Sequence, residues 1–264
     1  MAHGKHTLIA DLRRLGLGPG DGVWVHASMR SMGHVSGGAP TVIEALQEVV
    51  AEAGLVGMPG FSDDAYFPTN VDRSVLSDDE ITRIEYEVTG FDLTTSPTSE
   101  MGVIAETFRT WPGTRRSTHA TTSVCLNGPD AGDLITPHAE DWATGPASPF
   151  GRMRDRPGMK VLLIGVGWNR CTPLHTAEDY AKHKRTKMRR FKTGPGDAPW
   201  RQTPDVADDM GRLFPAAGAA FETTGAVALG QLGDAGVKLC GYDDLIRFAA
   251  PWISARNAES GDRH

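Results

Sequence analysis

The segment TPLHTAEDYAKHKRTKMRR, which begins at Thr172, places a histidine and a carboxylate three residues apart. On a helix, His175 and Glu178 would lie side by side, one turn apart. A neutral imidazole can take a proton from an amine or a hydroxyl, and a carboxylate beside it stabilises the imidazolium that forms. The spacing therefore fits a general base. It also fits an ordinary ion pair on a helix surface, which is the commoner case in proteins.

Seven basic residues and no acid lie between positions 182 and 192, in the second half of this segment and just after it: Lys182, Lys184, Arg185, Lys187, Arg189, Arg190 and Lys192. One helix is predicted through the whole segment by four apolar residues at helical spacing, which are Leu174, Ala177, Ala181 and Met188. The basic run would then complement the negative end of the helix dipole. The alternative is that part of it contacts the phosphates of a nucleotide-containing cofactor.

A second histidine, His26, ends the apolar run VWVH, which is typical of a strand. Ligands of open α/β sheets bind beyond the carboxyl ends of strands, so the loop after His26 is a candidate binding loop. Its Ser28, Arg30 and Ser31 are suitable donors to phosphate or carbonyl oxygens. A third histidine, His119, lies in a loop before another predicted strand. A structural role fits each of these two histidines as well as a functional one.

Several common site types have no motif in the chain. It contains no GxGxxG, GxxxxGK[ST] or GxSxG, and HTAE lacks the second histidine of HExxH. The three histidines and Glu178 are enough side chains to bind a metal ion. No local spacing among them indicates such a site, however, and we expect no metal. Three widely spaced cysteines indicate buried thiols rather than a disulfide framework.

Bulk composition limits the class of protein. The 264 residues are 39% hydrophobic, and we predict one domain over residues 1–264. A formal net charge of -6 argues against nucleic-acid binding and suits cationic ligands. No apolar run reaches the roughly 18 residues that cross a membrane, and the first residues lack a signal-peptide core, which predicts a cytoplasmic protein without membrane contact. Whether the chain forms a homodimer is left open.

Alternating helix and strand signals predict an α/β fold. Residues 22–61 read as one β-loop-α-β unit, from the strand GVWVHASM through a helix opened by Pro40 to the strand GLVGMPGFS. Further strands are predicted at TSVCLNG and MKVLLIGVG, and either a strand pair or a strand and a turn at GAVALGQLGDAGVKLCG. Helices are predicted at HTLIADLRRLGL, PDVADDMGRLFPAAGAAFE and YDDLIRFAAPWISA.

Residues 63–99, here called the excursion, are polar and aperiodic. This pattern predicts a long loop or lid with one short helix. The segment that follows predicts an amphipathic helix whose apolar face is Met101, Ile104, Ala105 and Phe108.

Several segments together resemble the aminoglycoside 3-N-acetyltransferase family. They are VHASMRSMGHVSGGAPTVIEALQEVV, GLVGMPGFS, SPTSEMGVIAETFRTWPGTRRSTHATTSV, GPASPFGRM, VLLIGVGWNRCTPLHTAEDYA and GAVALGQLGDAGVKLCGYDDLIRFAAPWI. Each alone is a weak signal, but they occur in the family's order over nearly the whole chain. The ordered set is therefore specific for the family.

The resemblance implies a single α/β fold of the antibiotic N-acetyltransferase type, with a central mixed sheet flanked by helices. It also implies acetyl-coenzyme A as cosubstrate and the 3-amino group of a 2-deoxystreptamine aminoglycoside as acceptor, an activity that gives antibiotic resistance. The family histidine that acts at the acceptor amine corresponds to His175, with Glu178 beside it. The family's coenzyme A contact loop corresponds to His26, Ser28, Arg30 and Ser31.

Two more family positions are His119 and Glu106, a carboxylate that could orient a histidine. The chain departs from the family at Ala120, where proline is expected, and at Pro173, where a small hydroxyl residue is usual. We expect these departures to change the substrate range rather than the chemistry.

The mechanism that the resemblance implies is direct attack of the acceptor amine on the thioester, with His175 as general base. Glu178 or Glu106 would stabilise the imidazolium. Candidate partners for the acceptor's ammonium groups are Asp63, Asp64 and Asp179. The alternatives are an N-acetyltransferase for another amine, a non-catalytic small-molecule binding protein on the same fold and, more remotely, a metal-dependent amidohydrolase.

Overall fold

The computed structural model describes residues 2–207 and 211–260. The strands of these residues form a seven-stranded central sheet and a separate two-stranded hairpin. In chain order the strands are β1 (Gly22–Ala27), β2 (Leu55–Pro59), β3 (Arg115–Arg116), β4 (Val124–Asn127), β5 (Met159–Ile164), β6 (Thr186–Lys192), β7 (Trp200–Val206), β8 (Val227–Leu232) and β9 (Ala235–Gly241). The central sheet has the order β3-β4-β2-β1-β5-β9-β8, and β6 pairs with β7. Strands β2, β1 and β5 run parallel, and the outer strands are antiparallel. The predicted mixed sheet is confirmed.

Helices cover both faces of this sheet. They are α1 (Lys5–Leu15), α2 (Ala39–Val50), α3 (Asp78–Glu87), α4 (Gly102–Arg109), α5 (Ala131–Ile135), α6 (Pro149–Asp155), α7 (Pro173–Tyr180), α8 (Phe214–Glu222) and α9 (Tyr242–Glu259). One core forms where α1, α2 and α4 pack on the sheet, and a second forms where α6, α7, α8 and α9 pack on the opposite face. Because both faces are covered, β1 and β5 are apolar almost throughout, as expected for central parallel strands. No helix among the described residues is long and apolar enough to cross a membrane.

The long helix predicted from Thr172 onward is wrong in its second half. Helix α7 ends at Tyr180, and Ala181 has an extended backbone. The basic run instead enters β6, where Met188 is 57% exposed rather than buried. It therefore does not complement the end of α7. Seven residues of β6 pair with β7, and this non-local ladder outweighs the local helical spacing.

A second predicted helix is also shorter than expected. Of PDVADDMGRLFPAAGAAFE, the first three residues belong to β7, and α8 begins only at Phe214. Positions 208–210 of this segment lie outside the described residues.

The excursion contains the one α-helix that the sequence predicts for it, α3. This helix begins with a reciprocal capping box between Ser77 and Glu80. The excursion is attached to the sheet by the buried Arg116, which donates to the carbonyl oxygens of Ser96 and Gly60 and packs on the Phe91 ring. The buried Lys192 also donates to carbonyl oxygens of the excursion, those of Glu85 and Tyr86. Buried cations thus contribute to holding the excursion in place.

Candidate active site

The carboxyl ends of β2, β1 and β5 meet at one edge of the sheet, beside a cavity of about 620 Å³. Phe61 and Asp63 follow β2 into this cavity, and His175 enters it from the segment that follows β5. Open α/β sheets bind ligands at such an edge. The opposite wall comes from the excursion and from the β6–β7 hairpin, with the aromatic side chains of Tyr66, Phe67 and Trp200 among the lining groups.

His175 and Glu178 form the pair that their spacing predicts. The Nδ1 atom of His175 lies 2.8 Å from the Oε2 atom of Glu178. The Glu178 side chain is only 5% exposed, whereas that of His175 is 21% exposed and lines the cavity. The Phe214 ring packs edge-on against the imidazole at 4.6 Å between centroids. Nδ1 is therefore committed to the carboxylate, and Nε2 makes no hydrogen bond with any described residue.

His26 lies within β1, not in the loop that follows it. Its Nε2 atom accepts hydrogen bonds from the indole Nε1 of Trp24 at 2.9 Å and from the backbone amide of Thr172 at 3.1 Å. Burial, followed by the charges of His175 and Arg170, lowers the pKa of His26 to about 3. This geometry gives His26 a positioning role, because a neutral ring holds the start of α7 against β1.

The rest of the predicted coenzyme A loop follows β1 at the same edge. The Ser31 Oγ atom lies 3.0 Å from Ser28 Oγ and 3.2 Å from the carbonyl oxygen of Gly165, and these contacts join the loop after β1 to the loop after β5. Arg30 is exposed and forms no ion pair with a described residue. Arg170 has the same properties on the loop after β5, and the sequence interpretation missed it. Two unpaired guanidinium groups on adjacent loops fit the phosphates of a nucleotide-containing cosubstrate.

His119 is buried and has both ring nitrogens engaged. Its Nδ1 accepts from the backbone amides of Thr121 and Thr122, and its Nε2 donates to the carbonyl oxygen of Glu140. Burial lowers the pKa of His119. The ring stacks at 4.7 Å on His138, which no motif had indicated. His119 thus shapes the turn that brings Thr121 and Thr122 to the cavity wall.

Among the described residues, Glu106 has no hydrogen bond to a histidine. Its carboxylate accepts from the Arg109 guanidinium at 2.7 Å and from the Thr98 amide at 2.8 Å. Although burial opposes it, these hydrogen bonds lower the pKa of Glu106 to about 2. These contacts tie the end of the excursion to α4 and do not support the expectation that Glu106 orients a histidine.

Two carboxylates form an acidic wall of the cavity. Asp63 and Glu100 both line it, and neither forms an ion pair with a described residue. Burial raises the pKa of Asp63, and the charges of Glu100 and Asp64 raise it further against a hydrogen bond from Ser99. The sequence interpretation missed Glu100, whose backbone has φ 55°, a conformation unusual for a residue with a side chain. Asp64, by contrast, is not among the lining residues.

Basic side chains also line this cavity, but they are mostly paired. Arg73 and Arg190 both contact Glu85, at 2.6 and 2.9 Å, and Arg189 contacts Asp205 at 2.6 Å. These ion pairs offset part of the positive charge on this side of the cavity, although Arg73 and Arg190 share one carboxylate. Asp63 and Glu100 have no such partner among the described residues.

Asp179 does not line the cavity, so the expectation that it contacts an ammonium group directly does not fit. It is 5% exposed, and its Oδ2 accepts the hydroxyl proton of Thr144 at 2.7 Å. Thr144 is itself on the cavity wall. Burial raises the pKa of Asp179 to about 7.

The predicted histidine residues do not converge on one point. His175 lies at the cavity, His26 in β1 and His119 under the wall. Within residues 2–207 and 211–260, no three or more histidine, cysteine, aspartate or glutamate side chains are grouped as metal ligands.

A cavity at the carboxyl edge of parallel strands, lined by a histidine that a buried carboxylate orients, is typical of an α/β enzyme that acts on a small molecule. Comparison with known proteins narrows this class. The family model "Aminoglycoside 3-N-acetyltransferase" matches residues 24–254. The chain belongs to this family.

Individual relatives agree with this assignment. The chain is 30% identical over 251 residues to the SPbeta prophage-derived aminoglycoside N(3')-acetyltransferase-like protein YokD of Bacillus subtilis (strain 168), covering 94% of this chain and 92% of the relative. It is 31% identical to aminoglycoside N(3)-acetyltransferase VIII of Streptomyces fradiae, covering 96% and 92%.

Solved structures give the same result. The crystal structure of YokD superposes with a TM-score of 0.90 at 28% identity, over 98% of this chain and 96% of that one. The binary complex of AAC-IIIb with CoASH superposes with a TM-score of 0.85 at 28% identity, over 97% and 98%. The predicted fold and the predicted enzyme family are both confirmed.

Proposed function

We propose that the protein transfers the acetyl group of acetyl-coenzyme A to the 3-amino group of a 2-deoxystreptamine aminoglycoside, with His175 as the general base. The observation that carries the proposal is the His175–Glu178 pair at a cavity that is also lined by Asp63 and Glu100, two carboxylates without an ion-pair partner among the described residues. A polycationic acceptor needs both a base and a negatively charged surface. The names of the relatives and the coenzyme A bound to AAC-IIIb support the same reaction.

Different residues of the chain would bind the cosubstrate and the acceptor, at two ends of the site. Acetyl-coenzyme A supplies the acetyl group as an activated thioester when it is bound. Ser28, Arg30 and Arg170 would hold its polar part beside β1 and β5, and His26 keeps Thr172 and the start of α7 in place. Asp63 and Glu100 would hold ammonium groups of the acceptor.

The proton of the attacking amine goes to Nε2 of His175. Glu178 keeps Nδ1–H as a hydrogen-bond donor, which sets the tautomer and stabilises the imidazolium. All three cysteines, Cys125, Cys171 and Cys240, are buried, and burial raises the pKa of each thiol. This arrangement favours direct transfer over an acyl-cysteine route.

The test is release of free coenzyme A thiol from acetyl-coenzyme A in the presence of individual aminoglycosides, including gentamicin and apramycin. A control without acceptor measures background hydrolysis. We expect acceptor-dependent release together with a product acetylated at the 3-amino group, identified by NMR. Absence of release across the panel, with acetyl-coenzyme A still bound in calorimetry, would contradict the proposed acceptor but not the enzyme class.

A second acceptor class is favoured by one observation. The cavity wall carries Arg73, Lys187, Arg189 and Arg190, and a ligand anion would compete for these groups with their internal carboxylates. An amine that also bears a carboxylate or phosphonate is therefore the alternative acceptor. Adding such amines to the panel separates the two cases, because only one class should support thiol release at micromolar concentration.

A further inference from the structure

The side chain of Asp179 is buried without the hydrogen bonds that a carboxylate normally has. Its Oδ2 accepts from Thr144 Oγ1 at 2.7 Å, but no described residue lies within hydrogen-bonding distance of its Oδ1. The Lys184 Nζ atom is 4.0 Å from Oδ1, beyond hydrogen-bonding distance, and instead contacts the Asp179 carbonyl oxygen and the Trp142 ring. Burying a carboxylate with so little compensation is costly, so the group calls for an explanation other than stability.

Thr144 connects this buried group to the cavity. The Thr144 side chain lines the cavity together with His175, and it lies on the loop between α5 and α6. Asp179 lies one turn after His175 on α7 and is not among the lining residues. The hydrogen bond therefore joins the helix that carries the base to a separate wall of the same cavity.

The chemistry of this bond has one consequence for a ligand. An ionised carboxylate only accepts hydrogen bonds, so the hydroxyl proton of Thr144 is taken by Asp179. A threonine hydroxyl has one proton and two lone pairs. With the proton committed, Thr144 can only accept a hydrogen bond from a ligand.

We infer that Thr144 binds an N–H or O–H donor of the acceptor, and that Asp179 is a positioning residue that fixes the Thr144 hydroxyl as an acceptor. This inference rests on the proposed function, since it assigns the ligand donor to the acceptor amine substrate. An aminoglycoside offers ammonium and hydroxyl donors, which match a row of acceptors formed by Thr144, Asp63 and Glu100. Asp179 acts on the substrate only through Thr144.

The test compares the Michaelis constants for the acceptor and for acetyl-coenzyme A at pH 8, where the Asp179 carboxyl is mostly ionised. Thr144→Val keeps the shape and removes the hydroxyl, and we expect it to raise the acceptor KM about 3-fold to 10-fold with the acetyl-coenzyme A KM unchanged. Thr144→Ser should restore the acceptor KM. Thr110→Val, at an exposed threonine at the end of α4, is the matched control.

Asp179→Leu tests the positioning role. The substitution removes a buried carboxylate that has one oxygen without a hydrogen bond. Replacing such a group by an apolar side chain is compatible with an unchanged unfolding temperature. We expect Asp179→Leu to raise the acceptor KM, because the freed Thr144 hydroxyl can turn its proton toward the ligand. The rise should be smaller than in Thr144→Val, because the hydroxyl is still present. In the double variant with Thr144→Val, the Asp179→Leu change should have no further effect on the acceptor KM.

Three outcomes would overturn the inference while the wild type is active. They are an unchanged acceptor KM in Thr144→Val, an equal rise in both Michaelis constants, and an Asp179→Leu effect that persists undiminished in the double variant. If Thr144→Val does not fold, as judged by circular dichroism, Thr144→Ala is measured with the same expectations. A wild-type protein that neither acetylates nor, in calorimetry, binds any aminoglycoside would overturn the proposed function and this inference together.

Discussion

The Nδ1 atom of His175 lies 2.8 Å from the Oε2 atom of Glu178, and this contact leaves Nε2 as the ring nitrogen available for chemistry. The carboxylate is nearly inaccessible to solvent, so the contact is not one of the exposed helix pairs that contribute little to a protein. It orients an imidazole at a cavity wall. The catalytic prediction follows from this geometry.

His175→Ala should lower kcat about 100-fold to 10000-fold, which is the usual contribution of a general base. Glu178→Gln should also lower kcat, because a glutamine amide can donate to Nδ1 and so leave the proton on Nε2. Steady-state kinetics of both variants, with His183→Ala at an exposed histidine as control, measure these effects. Wild-type turnover in His175→Ala would remove the assignment of the base.

Asp63→Asn and Glu100→Gln should each raise the KM for a cationic acceptor about 3-fold to 10-fold. The reason is that each substitution removes an unpaired carboxylate from the cavity wall, where the attraction to an ammonium group is only partly screened. Titration of each variant with acceptor at low and high salt measures the effect, which should shrink as salt is added.

The matched control for these two variants is Glu52→Gln. Glu52 is exposed just after α2, near the amino end of β2 and so at the sheet edge opposite the cavity. If it raised the acceptor KM as much as Glu100→Gln, net charge rather than the acidic wall would be the cause.

Stability should fall in acid because two buried histidines stay neutral in the folded protein. Burial lowers the pKa of both His26 and His138 from 6.5 to about 3. Between these values the unfolded chain binds protons that the folded protein does not bind. The stabilisation is therefore complete above pH 6.5 and is lost as the pH falls toward 3, by up to about 1.4 kcal/mol per pH unit for each histidine.

Urea unfolding between pH 4.5 and 8 measures this dependence. His26→Gln, whose side-chain oxygen can accept the same two hydrogen bonds, should give a shallower decline of the free energy of unfolding with falling pH. His6→Gln, at an exposed histidine, should leave the slope unchanged. Equal slopes for wild type and His26→Gln would contradict the assignment of a buried neutral ring.

Arg116→Lys should lower the free energy of unfolding by about 2 to 4 kcal/mol. Arg116 is 8% exposed and donates to Ser123 Oγ at 3.0 Å, to Ser96 and to Gly60. A lysine has one nitrogen and cannot reproduce this planar fork. The excursion should also become more sensitive to limited proteolysis.

The control for this variant is the neighbouring residue on β3. Arg115 is exposed, so Arg115→Lys should change neither stability nor cleavage. Equal losses in both variants would show that the excursion is not held by the buried guanidinium.

Local sequence patterns were sufficient for the parts of the fold whose structure is decided locally. Apolar runs predicted β1, β2, β4 and β5, and helical spacing predicted α1 and α4. The same rule failed after Tyr180, because β6 is stabilised by pairing with β7, whose first residue lies eight positions beyond the end of β6. Helical spacing in the basic run is a local signal that this ladder overrides.

By itself, the sequence determined the family, through an ordered set of motifs, and the His175–Glu178 pair, through a three-residue spacing on one helix. Only the tertiary structure decided the roles of the other candidates. It buried His26 and His119 as neutral hydrogen-bond partners and placed Glu100 beside Asp63. It also joined Thr144 to Asp179, 35 positions apart. Burial and contacts between distant segments set these roles, and neither leaves a periodic signal in the chain.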